Sequence, residues 1–463
     1  MIDLFIATGR LGPVEPHHQT CLSIVTYSRF SASKTTPTST YINSPITCVQ
    51  MELQYKVADV AGIPNAFVGI KIPLASATVG HNYMHAGLDS IDLELVCAKL
   101  LCKVVLTVLA FKPEEIERFF RETKVELVEL TWHSPTASPK ALRCVQKRTK
   151  DVFDGLRLAS SRHDVAVSDV QYWESNGSPG LLVTLKDGNH FRQYGKIDQI
   201  ASRAKRDRKP SQMSPEARLY LPKIRDAIKH HARNELLLTA ETLKADGLSH
   251  PNNWTAESLK ALIDSVWEKA GLGQRAEAPD ATKLSPEAAA TLERYQAGEH
   301  PRDFLPPHTL SRHRSSILDA TDTEIDRRPN QSKANRRSVG YQLQYDRRWE
   351  PKGDLRKLVL CEVTAPAIIE ELKRGLAFLE SGETPEFVTE EERSCWQMRW
   401  TTFAEREGGP RHPAGCKQLD QPSCLPDTPA TPGIPMSRGI GSVPVEPGIK
   451  DEVTWFEGEW RVI

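Results

Sequence analysis

The sequence predicts an α+β protein built on an antiparallel sheet. Three β-prone segments, at 164–172, 180–186 and 190–198, follow one another without room for a helix between them. The residues Lys186-Asp187-Gly188-Asn189 separate the last two segments and are typical of a β-hairpin turn. Longer segments with apolar residues at helical spacing lie before and after these strands. Hairpin-connected strands together with separate helices indicate an α+β fold.

The remaining elements are predicted from the same signals. Further strands are expected at 21–27, 47–55, 67–72, 124–133 and 232–239. Helices are expected at 88–111, 139–156, 214–229, 254–270 and 309–318, with a loop at 75–87. Two more helices should begin at Pro113 and Pro286, because glutamate follows each proline and both residue types suit a first helical turn.

The composition limits the class of protein. The chain has 463 residues, which suggests about two to four domains with an ample core. Apolar residues make up 39% of it, and no run of about 18 apolar residues predicts a membrane span. Nine cysteines without a C-x-x-C pair argue against a disulfide framework and a structural zinc site. The start, Met1-Ile2-Asp3, lacks the basic residues of a secretory signal, so we expect a cytoplasmic protein with no membrane partner.

Two basic stretches predict contact with nucleic acid. Although 60 Lys and Arg balance 60 Asp and Glu, cations dominate residues 203–233 and 327–357. Phosphates are the natural partners of such stretches, and the second also contains aromatic residues that can stack on unpaired bases. The alternative is a solvated helix surface. The cations expected to bind DNA are Arg203, Lys205, Arg206, Arg208, Lys209, Arg233, Arg336 and Arg337.

Tyr194 and Lys196 are candidate catalytic residues. A strand places alternate residues on one face, so Tyr194, Lys196 and Asp198 should lie together. A phenol, with an ordinary pKa of about 10, becomes a better nucleophile where a nearby ammonium favours the phenolate. The alternative is a structural tyrosine on a strand surface.

Glu129 and His133 form a candidate metal site on one predicted strand. Strand alternation places both on one face with Thr131, and oxygen and imidazole ligands suit Mg²⁺ or Mn²⁺. The alternative is an exposed polar face over an apolar one. Arg233 and Glu235 also share a strand face, where an internal ion pair is the alternative.

The order of these motifs resembles that of the filamentous-phage replication initiators, the gene II-type nicking and joining proteins. The landmarks are Met1-Ile2-Asp3, the strand 67–72 with Val79-Gly80-His81-Asn82 and a following helix, Leu127-Val128-Glu129-Leu130-Thr131, Gln193-Tyr194-Gly195-Lys196 and Arg233-Asn234-Glu235-Leu236. Residues 284–318 also resemble the helical module that some of these phages produce as a separate shorter protein. The resemblance covers residues 1–330.

This resemblance implies a rolling-circle initiator-like core followed by the helical module, and composition divides the remainder into two further regions. The regions are a nuclease domain at 1–270, a helical C-terminal module at 284–330, a basic and aromatic region of unknown fold at 331–409 and a Pro-rich, disordered tail at 410–463.

The resemblance also implies a metal-dependent, site-specific endonuclease and strand transferase. Tyr194 would attack one origin strand to form a tyrosyl–DNA ester, while Lys196 stabilises the developing charge. Glu129, Glu235 and His81 would hold Mg²⁺ or Mn²⁺. The expected partners are double-stranded replicative-form DNA, single-stranded DNA, and the helicase, polymerase and single-strand-binding protein of a bacterial host, in whose cytoplasm the protein would act.

Departures from the family pattern leave alternatives open. Leu127 and Glu129 stand where the family carries Arg and Asp, and Asn234 replaces an aromatic residue. A non-catalytic DNA-binding paralogue would keep the basic stretches and bind DNA without nicking it. An unrelated scaffold protein would explain the Pro-rich tail but not the ordered motifs.

Overall fold

A nine-stranded antiparallel sheet forms the centre of the protein, as a computed structural model shows. The structure describes residues 2–18, 38–136, 138–159, 167–175, 178–197, 200, 215–272, 284–297, 299–321, 325, 339–340, 343–408, 453–456 and 459–462. The strands of the sheet are β1 Ile2–Pro13, β2 Thr38–Asn43, β3 Gln50–Val60, β4 Ile63–Pro73, β5 Lys124–Pro135, β6 Val167–Ser175, β7 Ser178–Leu185, β8 His190–Gly195 and β9 His231–Thr239. Their order across the sheet is β2-β3-β4-β1-β5-β9-β8-β7-β6. The predicted α+β class with an antiparallel sheet is confirmed.

Helices lie between the strands of the sheet and after the last of them. The described α-helices are α1 Leu74–Val79, α2 Ile91–Val108, α3 Pro113–Glu122, α4 Pro139–Ala159, α5 Pro215–Ile228, α6 Ala240–Ala245, α7 Ala256–Lys269, α8 Pro286–Gln296, α9 Pro307–Thr321, α10 Ala365–Ser381 and α11 Glu390–Gly408. Short 3-10 helices occur at Leu88–Ser90, Pro251–Asn253, Pro301–Asp303, Tyr345–Arg347 and Gly353–Leu358. None of the helices that the structure describes combines the length and hydrophobicity of a membrane crossing. Near the chain end, β10 Val453–Phe456 and β11 Glu459–Val462 pair with each other.

Local sequence signals located many of these elements correctly. The turn at 186–189 joins β7 to β8, and Gly188 has a φ of 79°, which favours glycine. Helix α3 begins at Pro113, and the Glu115 carboxylate accepts a hydrogen bond of 2.9 Å from the backbone N–H of Lys112. Such signals succeed because they depend on only a few neighbouring residues.

The sequence did not predict β1, although it lies in the middle of the sheet between β4 and β5. Helix α3 packs on this strand, and a Cβ atom at Gly9 would lie 2.4 Å from the Phe119 ring. β1 carries apolar residues on both its buried and its half-buried face, so its sequence lacks the apolar–polar alternation that predicts a strand. The strand predicted at 21–27 lies outside the described residues.

Two other boundaries differ from the sequence prediction. Residues 75–79, expected to begin a loop, belong instead to helix α1. The strand expected at 190–198 ends at Gly195, and Lys196 lies in the following helical turn. Tyr194 and Lys196 are therefore close in space without sharing a strand.

One face of the sheet packs against the main hydrophobic core. Trp132 on β5 contacts Trp267 on α7 edge to face, with ring centroids 6.5 Å apart. Phe191 on β8 contacts both Trp267, at 5.0 Å, and Phe153 on α4, at 5.9 Å. These aromatic contacts hold α4 and α7 on this face.

The opposite face of β5 and β9 is polar but also buried, which excludes the alternative of an exposed polar face. The roof segment, defined here as residues 81–86, covers it: Met84 and Ala86 pack with Ile224 and Ile228 of α5 in a second apolar cluster. Burying polar side chains on this face is tolerated only where they bind one another.

The region at 331–409, for which no fold was predicted, contributes helices to the main core. Leu372 and Leu376 of α10 and Trp400 of α11 belong to the same apolar cluster as the sheet. The Glu371 carboxylate accepts hydrogen bonds of 2.9 Å from the indole N–H groups of Trp396 and Trp400. The core of the region expected as a nuclease domain at 1–270 thus includes residues after 343.

Helices α8 and α9, in the region expected as a helical module, have a smaller apolar cluster. Its buried members are Leu284, Ala288, Leu292, Tyr295, Leu310, Ile317 and Ile325. The buried Arg148 guanidinium of α4 donates to the Gln296 carbonyl at the end of α8, which links α8 to α4.

Gly375 provides a test of the packing between α10 and α11. A Cβ atom there would lie 2.0 Å from the Trp400 ring, which is buried, so Gly375→Ala should lower the free energy of unfolding by about 1–3 kcal/mol. Gly155→Ala in α4 is the matched control, because nothing lies within 4 Å of its Cβ position. Denaturant unfolding measures both. Equal stability of the two variants would contradict the packing.

Glu94 provides a test of burial through pH. Its carboxylate is buried in α2 and accepts a 2.8 Å hydrogen bond from the Ile2 backbone N–H, and burial raises the pKa of Glu94 from 4.5 to about 7. The folded state therefore keeps a proton that the unfolded chain loses, and the free energy of unfolding should fall by about 3 kcal/mol as pH rises from 4.5 through 7. Glu94→Gln should flatten this part of the profile, with the exposed Glu114→Gln as the control for removal of one carboxylate. An unchanged profile in Glu94→Gln would contradict the assignment.

Candidate functional site

The candidate site lies on the buried polar face where four adjacent strands meet. Glu129 comes from β5, Arg233 and Glu235 from β9, and Tyr194 from β8. Arg233 pairs directly with Tyr194 across β9 and β8, so the two side chains share a face. The register of antiparallel strands thus assembles residues that are distant in sequence.

Asp3 joins the site from β1 through a β-bulge. Ile2 pairs with Leu130 and Leu4 pairs with Glu129, which leaves Asp3 as the extra residue on β1. Bulges redirect side chains, and here the bulge turns Asp3 towards Arg233. The sequence prediction missed Asp3, because a bulge follows from strand pairing and has no local signature.

Arg233 is the centre of the site. Its Nε donates to Glu235 Oε1 at 2.6 Å, one Nη donates to Asp3 Oδ2, and the other donates to the Asn82 carbonyl at 2.5 Å and lies 2.7 Å from His85 Nε2. Burial opposes its charge, but the neighbouring Tyr194, Asp3 and Glu235 outweigh that effect and raise the pKa of Arg233. Arg233, predicted to bind DNA phosphates, is fully buried in this structure, and its guanidinium is engaged within the protein.

Three carboxylates lie together around this cation. One oxygen from each of Asp3, Glu129 and Glu235 lies within 4.8 Å of the others. Burial would raise the pKa of Glu235, but Arg233, Lys196 and Arg192 lower it to about 2. Burial and then the charges of Glu235 and Asp3 raise the pKa of Glu129, which favours its neutral form. Of these two carboxyl groups, Glu235 is therefore the one that stays ionised, while Glu129 favours its protonated form.

The donor set of this cluster fits a divalent cation. Carboxylate oxygens are the preferred ligands of Mg²⁺ and Mn²⁺. The pKa of Glu129 is raised first by burial and then by the negative charge of Glu235 and Asp3, and a divalent cation would offset that charge. Asp3, Glu129 and Glu235 are the residues that would hold the ion.

His81 was expected among the metal ligands but does not belong to the carboxylate cluster. It is buried in the roof segment, its Nδ1 accepts from the Tyr83 backbone N–H at 3.2 Å, and its ring stacks on that of Tyr83 at 5.3 Å. Burial and then Lys196 lower its pKa to about 4, so His81 is neutral at physiological pH.

His133, which the sequence paired with Glu129, contacts other histidines instead. Its ring lies 6.0 Å from the rings of both His85 and His231. Burial and then the positive charge of Arg233 lower the pKa of His133 well below its ordinary value. These imidazoles are neutral groups that pack beside Arg233.

A second metal-capable group among the described residues is explained by hydrogen bonding alone. His17, His18 and Glu115 lie within ligand distance of one another. His18 Nδ1 accepts from the Glu15 backbone N–H at 3.1 Å, so its Nε2 carries the proton and donates to Glu115 at 2.6 Å. In that tautomer His18 has no nitrogen left for a metal.

Tyr194 is held against the carboxylate cluster. Its hydroxyl donates to Glu235 Oε1 at 2.5 Å, and the side chain is 8% exposed. The ammonium of the buried Lys196 lies 5.7 Å from the centre of the Tyr194 ring and 5.8 Å from that of Tyr83. Burial raises the pKa of Tyr194 well above 10; Arg233 opposes this, and Glu235 adds to it. In this state the phenol is protonated and positioned by a carboxylate.

The structure therefore brings together four of the six candidate catalytic and metal-binding residues, and His133 is among the two that lie elsewhere. Tyr194, Lys196, Glu129 and Glu235 meet, whereas His81 lies beside Lys196 in the roof segment. The predicted DNA contacts Arg203, Lys205, Arg206, Arg208, Lys209, Arg336 and Arg337 lie outside the described residues.

A phenol that donates to a carboxylate within an oxygen-rich cluster, with an ammonium nearby, can attack a phosphate ester.

No protein-family model matches the sequence, and neither the curated proteins nor the solved structures include a match.

Proposed function

We propose that this protein starts rolling-circle DNA replication of a filamentous phage by nicking and rejoining one origin strand through a tyrosyl–DNA intermediate. The observation that carries the proposal is the hydrogen bond from Tyr194 to Glu235 within the cluster that Asp3 and Glu129 complete. The ordered motifs that resemble the phage initiators support the same reaction.

Tyr194 is the nucleophile in this proposal. Its oxygen attacks the scissile phosphorus, the bond to the 3′ oxygen breaks, and the products are a 5′-phosphotyrosine ester and a free 3′-hydroxyl. Glu235 accepts the phenol proton along the existing hydrogen bond, and the leaving 3′ oxygen takes up a proton from solvent. Lys196 stabilises negative charge near the Tyr194 ring.

Asp3, Glu129 and Glu235 are the proposed ligands of Mg²⁺ or Mn²⁺. When bound, such an ion polarises the phosphoryl oxygens and adds positive charge near the phenol. The Oε1 atom of Glu235 accepts hydrogen bonds from the Tyr194 hydroxyl and from Nε of Arg233, while Oε2 lies 3.8 Å from the Arg192 guanidinium. The two oxygens of Glu235 can thus serve the nucleophile and the ion separately.

Attack requires the roof segment to move. Tyr194 is almost fully buried, and the Asn82 carbonyl accepts a hydrogen bond from Arg233 beneath the roof segment. Breaking this contact would admit the strand and place the phosphate beside the phenol. The closed form protects the nucleophile while no DNA is bound.

The ester retains the energy of the broken bond, so a second transesterification can close the displaced strand without ATP. The 3′-hydroxyl serves as primer for a host polymerase, assisted by a host helicase and single-strand-binding protein. Replicative-form duplex and single-stranded DNA are the substrates, and the bacterial cytoplasm is the proposed location.

A non-catalytic DNA-binding paralogue is the second candidate. It is favoured by the contacts of Arg233, which already forms ion pairs with Asp3 and Glu235, and by the raised pKa of the buried Tyr194. This candidate predicts salt-sensitive DNA binding without strand cleavage.

Tyr194→Phe separates the two candidates. It removes only the nucleophilic oxygen, so nicking of a plasmid that carries the phage origin should fall below detection while DNA affinity stays within about twofold of wild type, a ratio worth about 0.4 kcal/mol. Tyr83→Phe is the matched control, because its ring lies equally near the Lys196 ammonium but is not the phenol bound to Glu235. Peptide mapping of the covalent adduct should locate the linkage at Tyr194. Nicking by Tyr194→Phe at the wild-type rate would exclude it as the nucleophile.

Glu129→Gln tests the metal site without an expected loss of the fold. Because burial and neighbouring charges favour neutral Glu129, glutamine resembles its form in the unliganded protein, and the free energy of unfolding should change by less than about 1 kcal/mol. Metal-dependent nicking should fall by about 10–100-fold. Glu126→Gln, on the same strand but outside the cluster, should retain activity. Full nicking by Glu129→Gln, or by wild type in excess chelator, would contradict the metal assignment.

A further inference from the structure

One row of cross-strand neighbours extends from the candidate site to the edge of the sheet. Arg233 pairs with Tyr194, Tyr194 pairs with Gly180 on β7, and Gly180 pairs with Trp173 on the edge strand β6. Directly paired residues of antiparallel strands point to the same face. Trp173 therefore projects on the same side of the sheet as Tyr194, two strand spacings away, or about 10 Å.

Gly180 leaves room for the Trp173 indole to cross β7. A Cβ atom at Gly180 would lie 2.2 Å from two atoms of the indole ring, so the ring occupies the space above this glycine. The indole extends over β7, next to β8, which carries Tyr194. Trp173 remains 39% exposed, although Tyr194 on the same face is almost completely buried.

The same face is open to solvent along the next row. Gln171 on β6 pairs with Leu182 on β7, which pairs with Arg192 on β8. Gln171 is exposed, and Leu182 and Arg192 are half-buried. Arg192 also lies 3.8 Å from Glu235, so this open surface is continuous with the carboxylate cluster.

We propose that Trp173 is the stacking platform for an unpaired nucleobase of the strand that reaches Tyr194. The ligand class is single-stranded DNA, and this assignment rests on the proposed function for the role of Tyr194. Base stacking on an aromatic ring is independent of sequence and requires an exposed ring at a fixed position. The row through Gly180 provides such a position beside the nucleophile, and Arg192 provides positive charge on the same surface for the phosphates.

A purely structural role for Trp173 makes a different prediction. An aromatic side chain over a glycine can protect the backbone of a β-sheet, and its loss would then reduce stability without changing DNA affinity. The two roles are separated by measuring unfolding and DNA binding on the same variants.

The test uses the full chain, excess chelator to prevent cleavage, and a fluorescein-labelled oligo(dT) probe followed by anisotropy. Trp173→Ala should weaken binding about tenfold, and Trp173→Phe, which keeps an aromatic ring, should stay within about threefold of wild type. Tyr41→Ala is the matched control, because Tyr41 is an exposed aromatic residue on β2 at the opposite edge of the sheet. Its affinity should equal that of wild type, and thermal unfolding should confirm that every variant is folded.

Wild-type affinity in a folded Trp173→Ala variant would overturn the platform. An equal loss of affinity in Trp173→Phe and Trp173→Ala would also overturn it, because stacking needs only an aromatic ring. Formation of the covalent adduct is measured separately with origin DNA. If the wild-type protein forms the adduct and Trp173→Ala binds oligo(dT) with wild-type affinity, only the role of Trp173 is overturned. If the wild-type protein forms no adduct but Trp173→Ala loses about tenfold in affinity, the role of Tyr194 as nucleophile is overturned and the role of Trp173 is supported.

Discussion

The candidate site depends on the ion pairs that the buried guanidinium of Arg233 forms with Asp3 and Glu235. The guanidinium binds Asp3 on β1, Glu235 on β9 and the carbonyl of Asn82 in the roof segment. Removing one partner from a buried ion pair typically costs about 3–5 kcal/mol, because the remaining charge is left without compensation. Arg233 thus makes a sheet face with buried carboxylates compatible with a stable fold.

The same contacts set the chemical state of the site. Positive charge from Arg233 keeps Glu235 ionised, while Glu129 is driven towards its neutral form by burial and by its anionic neighbours. The ionised carboxylate of Glu235 accepts a hydrogen bond from the Tyr194 hydroxyl, yet burial keeps that phenol protonated. In the proposed reaction, burial keeps the Tyr194 phenol protonated until positive charge is added near it, and such charge would favour the phenolate.

Sequence patterns found residues whose role depends on near neighbours and missed those that depend on pairing between distant strands. Tyr194 and Glu235 were identified because short motifs contain them, and the turn at 186–189 was found for the same reason. Asp3 was missed since its role arises from a bulge in the pairing of β1 with β5. Arg233 was assigned to DNA because a charge count cannot distinguish an exposed cation from one buried by long-range packing.

Helix α11 carried a signal that the sequence prediction did not use. Trp396, Trp400 and Phe403 follow one another at spacings of four and three residues, which places them on one helical face. All three belong to the main core, and Glu371 of α10 accepts both indole N–H groups. That carboxylate contact, unlike the periodicity, could not be read from the sequence because it joins two separate helices.

One face of the sheet is covered at one side and exposed at the other, and this difference would separate two requirements of the proposed strand cleavage. At β1, β5 and β9 the face is covered by the roof segment, where low solvent exposure strengthens the interactions of carboxylates with a cation. At β6 and β7 the same face is exposed, so that Trp173 can meet a flexible ligand without first displacing protein. Tyr194 on β8 lies at the boundary between the two parts. Under the proposed function, a DNA strand bound on the open side would reach the phenol only where the roof segment ends, so we propose that movement of the roof segment couples binding to chemistry.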